Sequence, residues 1–261
     1  MNCTETPETV PIHPFPPALS IRGLNKSIGK THILHDVDLT VDLGDFMGLI
    51  GPNGSGKTTL IKCITGQLVV AVGNAQICGC DITDHSLEAK RQFGYALEPE
   101  CLPLPLTGNQ YIALVASAKE LTGFDEQAQF LADMFDLAEH LPDEIGAYSS
   151  GMKQKLSIIA SLLGQPSLII LDESLNSLDP VSAYRIKNHL REMTDAGKTA
   201  VLLASHVIES VEKYCSKVAI IQQGAIRSIH TEAALKAHRA ETGMDLEELF
   251  IKLVESEKRH G

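Results

Sequence analysis

Long apolar runs are missing from this 261-residue chain: its apolar stretches, such as those at residues 167–171, 200–204 and 218–221, are strand-sized, far short of the ~20 residues that span a bilayer. The chain is therefore not expected to cross a membrane by itself. Clustered positive charge is also missing. Lys plus Arg number 22 against 33 Asp plus Glu, a net charge of −11 with no basic block, which argues against nucleic acid as a partner because affinity for its backbone comes from grouped Lys and Arg. Residues 1–17 have neither a basic start nor a continuous apolar core, so they are not a secretory signal, and the expected compartment is the cytoplasm. No disulfide framework is visible either. Six cysteines stand at irregular positions, Cys3, Cys63, Cys78, Cys80, Cys101 and Cys215, and read as reduced thiols filling core positions. Cys78-Gly79-Cys80 lacks a second ligand pair at zinc spacing, so no metal site is expected there.

What is present suits a globular chain: 44% hydrophobic residues can bury a sizeable core, in one large α/β domain or two modest ones. Residues 1–17 carry five of the twelve prolines and read as an extended lead-in outside the fold. Short β-type runs follow at 18–24, 36–41 and 46–50, bounded by Gly29, Asp42, Gly44 and Asp45, and suggest an antiparallel β layer. The stretch from about 106 to 165 changes to helical spacing and reads as a helical insert. Beyond it, apolar strand runs at 168–171, 199–203 and 217–221 alternate with helix candidates at 180–194 and 207–214, the pattern of βαβ crossovers and a mainly parallel sheet. Leu246, Leu249, Phe250 and Leu253 make one apolar face of a terminal helix, which either packs on its own domain or serves a partner.

The chemistry begins at Gly51-Pro52-Asn53-Gly54-Ser55-Gly56-Lys57-Thr58-Thr59, between the apolar run 46–50 and a helix from Leu60 onward. A strand feeding a glycine-rich turn into a helix N-terminus aims backbone N–H groups and the positive end of the helix dipole at a polyphosphate. Lys57 is placed to reach the β- and γ-phosphates, and the Thr58 hydroxyl to ligate a bridging Mg2+. Such a loop needs carboxylates at the end of a buried strand. Leu168-Ile169-Ile170-Leu171-Asp172-Glu173 supplies them, with Asp172 for the metal and Glu173 to orient and deprotonate an attacking water. Tyr148-Ser149-Ser150-Gly151-Met152 opens another helix, where the serines taken alone read first as a plain N-cap and secondly as another anion-binding end.

Taken in order, these motifs resemble the nucleotide-binding domain of ABC transporters over almost all of residues 18–256. Gly51 to Thr58 is similar to the family's Walker A loop and Asp172-Glu173 to the end of its Walker B strand. Tyr148 to Met152 resembles the signature usually written Leu-Ser-Gly-Gly-Gln, Ser177-Leu178-Asp179-Pro180 the D-loop, His206 the switch histidine, and Gly94-Tyr95-Ala96-Leu97-Glu98-Pro99 the Q-loop. The resemblance implies a P-loop NTPase of ABC type: an α/β fold with a mainly parallel core sheet, an antiparallel β layer and a helical subdomain. It divides the chain into a lead-in (1–17), an ATPase domain (18–230, helical subdomain about 106–165) and a C-terminal helical tail (231–261). It implies ATP and Mg2+ as ligands, the metal held by Thr58, Asp172 and Glu98, with catalysis by Glu173, His206 and Glu98. A second ATPase subunit, in the simplest case an identical copy, would close head to tail over the nucleotide through Ser149, Ser150, Gly151 and Asp179. The tail around residues 245–250 is similar to the ABC-2 exporter branch, in which the ATPase sits on the inner face of the cell membrane and drives a separate transmembrane permease. ABC ATPases that act on ribosomes or DNA, and hydrolysis-poor regulatory subunits, are the competing readings. Two departures stand out. Glu98 replaces the usual Gln, and Ile28 replaces the aromatic residue on which adenine stacks.

Overall fold

The computed structural model describes residues 15–70 and 72–258, with side chains placed through Leu253 in the last helix; most of the expected lead-in at residues 1–17 thus lies outside the described residues. The chain enters an antiparallel pair, β1 (Leu19–Ile28) and β2 (Thr31–Val41), longer than the sequence runs suggested because the two strands continue outward to a turn at Gly29-Lys30. β3 (Phe46–Ile50) then feeds α1 (Lys57–Ile64). β4 (Val72–Ile77) and β5 (Cys80–Asp81) return to complete a four-stranded antiparallel sheet in the order β2-β1-β4-β5.

The second sheet holds the site. α2 (Ser86–Gln92) leads into β6 (Phe93–Ala96), and α3 (Gly108–Ala118), α4 (Asp125–Met134) and α5 (Ser150–Leu162) form the helical insert. The alternation follows as β7 (Leu168–Asp172), α6 (Pro180–Asp195), β8 (Ala200–Ala204), α7 (Ile208–Tyr214) and β9 (Lys217–Gln222). β10 (Ala225–Thr231), α8 (Glu232–Thr242) and α9 (Leu246–Lys258) end the described chain. The strand order is β10-β9-β3-β8-β7-β6, parallel throughout except where β10 runs antiparallel to β9. All five residues of β3 are buried, as a central parallel strand covered on both faces requires.

Because side chains alternate across a strand, β3 serves two cores. Phe46 and Ile50 join Leu171, Val201, Ile159 and Phe135 on the side of the helical insert. Met47 and Leu49 face the other way, toward Leu60, Leu202 and the antiparallel sheet. The two sheets are tied where they meet the phosphate loop: His35 N donates to Gly224 O at 2.8 Å and Gly224 N to Ser55 O at 2.9 Å. The tail helix packs on its own domain, Leu246 being buried in the core with Leu249, Phe250 and Leu253 against it.

Candidate active site

β3 delivers the chain to the phosphate loop, and one backbone angle fixes its exit. Gly56, the residue before α1, has φ +107°, and a Cβ there would lie 2.9 Å from Leu34; only glycine takes that conformation without strain. The first turn of α1 has no acidic residue and no side-chain cap, so its N–H groups remain for an anion. Lys57 is buried and its ammonium donates to Gly51 O at 2.6 Å and Pro52 O at 3.3 Å. Burial lowers its pKa, against the pull of Glu173 and Asp172, which raise it. The Ser55 hydroxyl oxygen is buried with no hydrogen-bond partner among the described residues.

Asp172 ends β7, between β6 and β8. Its Oδ1 is buried without a partner among the described residues, and burial pushes its carboxyl pKa up; the Thr58 hydroxyl opposes that, while Glu173 and Glu98 add to it. Glu173 follows in the left-handed region at φ +53°, its N–H donating to Ala204 O at 3.0 Å. This bend turns the carboxylate toward the end of β8, where its Oε2 meets His206 Nδ1 at 2.9 Å and also accepts from the Asn176 side-chain amide. His206 is set by Ser205, whose N–H donates to Leu49 O at 3.3 Å and whose hydroxyl accepts from Val207 N at 3.0 Å. Glu98 begins a single 3-10 turn, Pro99–Cys101, and the preceding Leu97 carbonyl accepts from Ser157 Oγ of α5 at 2.8 Å.

Lys57, Thr58, Asp172, Glu173, His206 and Glu98 are brought together around the loop of residues 51–59. The other four residues form a separate group at the start of α5. Ser149 is the N-cap, its Oγ accepting from Met152 N at 3.2 Å. Ser150 and Gly151 open the helix, and a Cβ on Gly151 would lie 3.9 Å from Ser177 O. Asp179 caps α6, accepting from Ser182 N at 2.9 Å and Ser182 Oγ at 2.6 Å and facing Lys155 at 3.4 Å. The Ser182 hydrogen bonds, then Lys155, hold its carboxyl well below the usual range. The contacts of this group run among α5, α6 and the turn before α6, so the N-cap reading of the serines holds within one chain. Asn176 escaped the sequence reading, since nothing in its type announces that the Glu173 bend brings the two side chains together.

The donor set fits Mg2+. A buried carboxylate oxygen without a partner beside a threonine hydroxyl leaves most of the coordination to phosphate and water, the arrangement this ion prefers over an all-protein cage. Among the described residues no group of three or more His, Cys, Asp or Glu could hold a metal ion.

Residues 34–176 match the ABC transporter family. The chain is 38% identical over 213 residues to the uncharacterized ABC transporter ATP-binding protein YdbJ of Bacillus subtilis, covering 81% of this chain and 68% of that one. The linearmycin resistance ATP-binding protein LnrL of the same organism is 31% identical over 219 residues, 83% of this chain and 70% of its own length. A solved ATP-binding subunit of an ABC transporter superposes with a TM-score of 0.85 at 30% identity, covering 91% of this chain and 99% of that one. With the phosphate loop, the paired acids and the histidine assembled on this sheet, the chain belongs to the ABC transporter family as an ATP-binding, ATP-hydrolysing subunit.

Proposed function

We propose that this ATPase works as a pair of head-to-tail copies that close over ATP and Mg2+ and drive a separate membrane permease, moving cargo outward. The observation that carries the reading is the convergence on Glu173: its carboxylate lies at the end of the Walker B strand, hydrogen-bonded to His206 and adjacent in sequence to a buried Asp172 oxygen that lacks a partner. Mg2+ held by Thr58 and Asp172, with Glu98 nearby, would neutralise charge on the bridging phosphate oxygens. Lys57 exchanges its loop carbonyls for the β- and γ-phosphates. Glu173 orients water in line with the γ-phosphorus and takes its proton as the new P–O bond forms and the bond to the ADP oxygen breaks. His206 swings from Glu173 to the γ-phosphate. Ser149, Ser150 and Gly151 of one copy, with Asp179 beside them, face the ATP of the other, the use left to a helix N-terminus that its own chain does not bring to the loop.

Force would leave through the Q-loop. Beside it lies an apolar groove of about 460 Å³, lined by Leu87, Phe93, Tyr95, Leu97, Tyr111 and Lys119 among others. Burial lowers the Lys119 pKa to about 8, so the groove suits a permease segment with an apolar face and a carboxylate. No helix among the described residues is long and apolar enough to cross a membrane, and this docking would hold the subunit at the inner face of the cell membrane. Outward transport is supported by the resistance role in the name of LnrL.

Glu173→Gln tests the reading. It should bind ATP, lose at least ~10²-fold in turnover as expected for removal of a general base, and accumulate as a dimer in light scattering. A mutant that stays monomeric at saturating ATP would overturn the paired mechanism.

A further inference from the structure

The tail helix reaches the back of the phosphate loop. α9 is started by a reciprocal pair, Asp245 Oδ1 accepting from Glu248 N at 2.9 Å and Glu248 Oε2 from Asp245 N at 3.2 Å, the capping-box arrangement that fixes where a helix begins. Leu246, 2% exposed, anchors that first turn in the core. One turn on, Phe250 forms a wall of a cavity of about 240 Å³ whose other walls are Ile50, Gly51, Pro52, Asn53, His206 and Ile208. A ring from the tail thus borders both the turn that cradles phosphate and the histidine that pairs with Glu173.

His206 needs such a border. Its side chain is 63% exposed and its ring is held by a hydrogen bond to Glu173. An imidazole on one such tether turns about its side-chain torsions unless a neighbour limits the swing, and small misplacements of a reacting group are costly in rate. The cavity gives the ring room to move, and Phe250 forms one of its walls.

We propose that Phe250 is a positioning residue, which from α9 confines His206 and supports the turn at residues 51–53, so that seating of the tail helix is coupled to hydrolysis. The inference rests on the reading of His206 as the group that meets the γ-phosphate. Its test is steady-state ATPase kinetics and thermal unfolding of the purified full chain, in Phe250→Ala, Phe250→Leu, Leu249→Ala, His206→Ala and the His206→Ala/Phe250→Ala double variant. Phe250→Ala should lower kcat on the order of tenfold with a smaller change in KM, and Phe250→Leu should recover most of that loss. Leu249→Ala, which loosens the same helix without lining the cavity, should lose stability but keep kcat. In the His206→Ala background the second substitution should cost nothing further. Full additivity of the two losses, or equal kcat losses in Leu249→Ala and Phe250→Ala, would reduce the tail to a stabilising element and overturn the proposal. A fully active His206→Ala would instead remove the histidine's role, and the proposal with it.

Discussion

Ile28 sits 50% exposed at the outer end of β1, next to the Gly29 turn. It occupies the position at which relatives are expected to offer an aromatic face to adenine, and a branched aliphatic side chain has no π-surface to stack. Base stacking on an aromatic ring contributes about 1 to 3 kcal/mol. Ile28→Tyr should therefore tighten ATP binding by roughly fivefold or more and sharpen the preference over GTP, measured by titration of both nucleotides. Unchanged affinity for each would remove base stacking from this position. At this scale the site was legible where chemistry dictates residue type in a fixed spacing, as in Lys57-Thr58 and Asp172-Glu173. Asn176 was not, because its contact with Glu173 depends on a left-handed backbone turn at a residue that is not glycine.

α5 carries the signature residues, and its place on the sheet is set by one close approach. A Cβ on Gly94 of β6 would lie 1.7 Å from Ser161 O of α5 and 2.6 Å from Ser161 C, so any side chain there must push helix and strand apart. Together with the Ser157 bond to Leu97 O, this fastens the segment before Glu98 to α5, the helix proposed to face a second copy. Gly94→Ala should cost about 1 to 3 kcal/mol by overpacking and lower ATP-dependent dimerisation along with stability, read by denaturant unfolding and scattering. Normal stability would show that α5 can shift freely. The strands legible at nearly full length were β3, β7, β8 and β9, each nearly or wholly buried and therefore written as a continuous apolar run, while β1 and β2 were legible only in part. β4, whose first three residues are exposed, and α8, which buries none of its side chains, leave no such pattern to read.

For the whole molecule, the proposed docking groove beside Leu97 allows hydrolysis to be tested apart from transmission. Leu87 projects from α2 into that groove, 65% exposed, and has no part in the nucleotide site. Leu87→Asp should leave the ATPase rate of the purified chain unchanged while abolishing its co-purification with the permease, because a new carboxylate in an apolar wall must be desolvated on docking. Retained association would move the permease contact elsewhere. The junction in which Gly224 joins His35 on one side and Ser55 on the other has a consequence for how the subunit can be divided. It works as a rivet through both layers beside the phosphate loop. A fragment cut down to the parallel layer would keep the Gly224 bond to Ser55 but lose His35, which holds the far side of Gly224 from β2, so the antiparallel layer braces the turn behind the phosphate loop and is not a detachable cover.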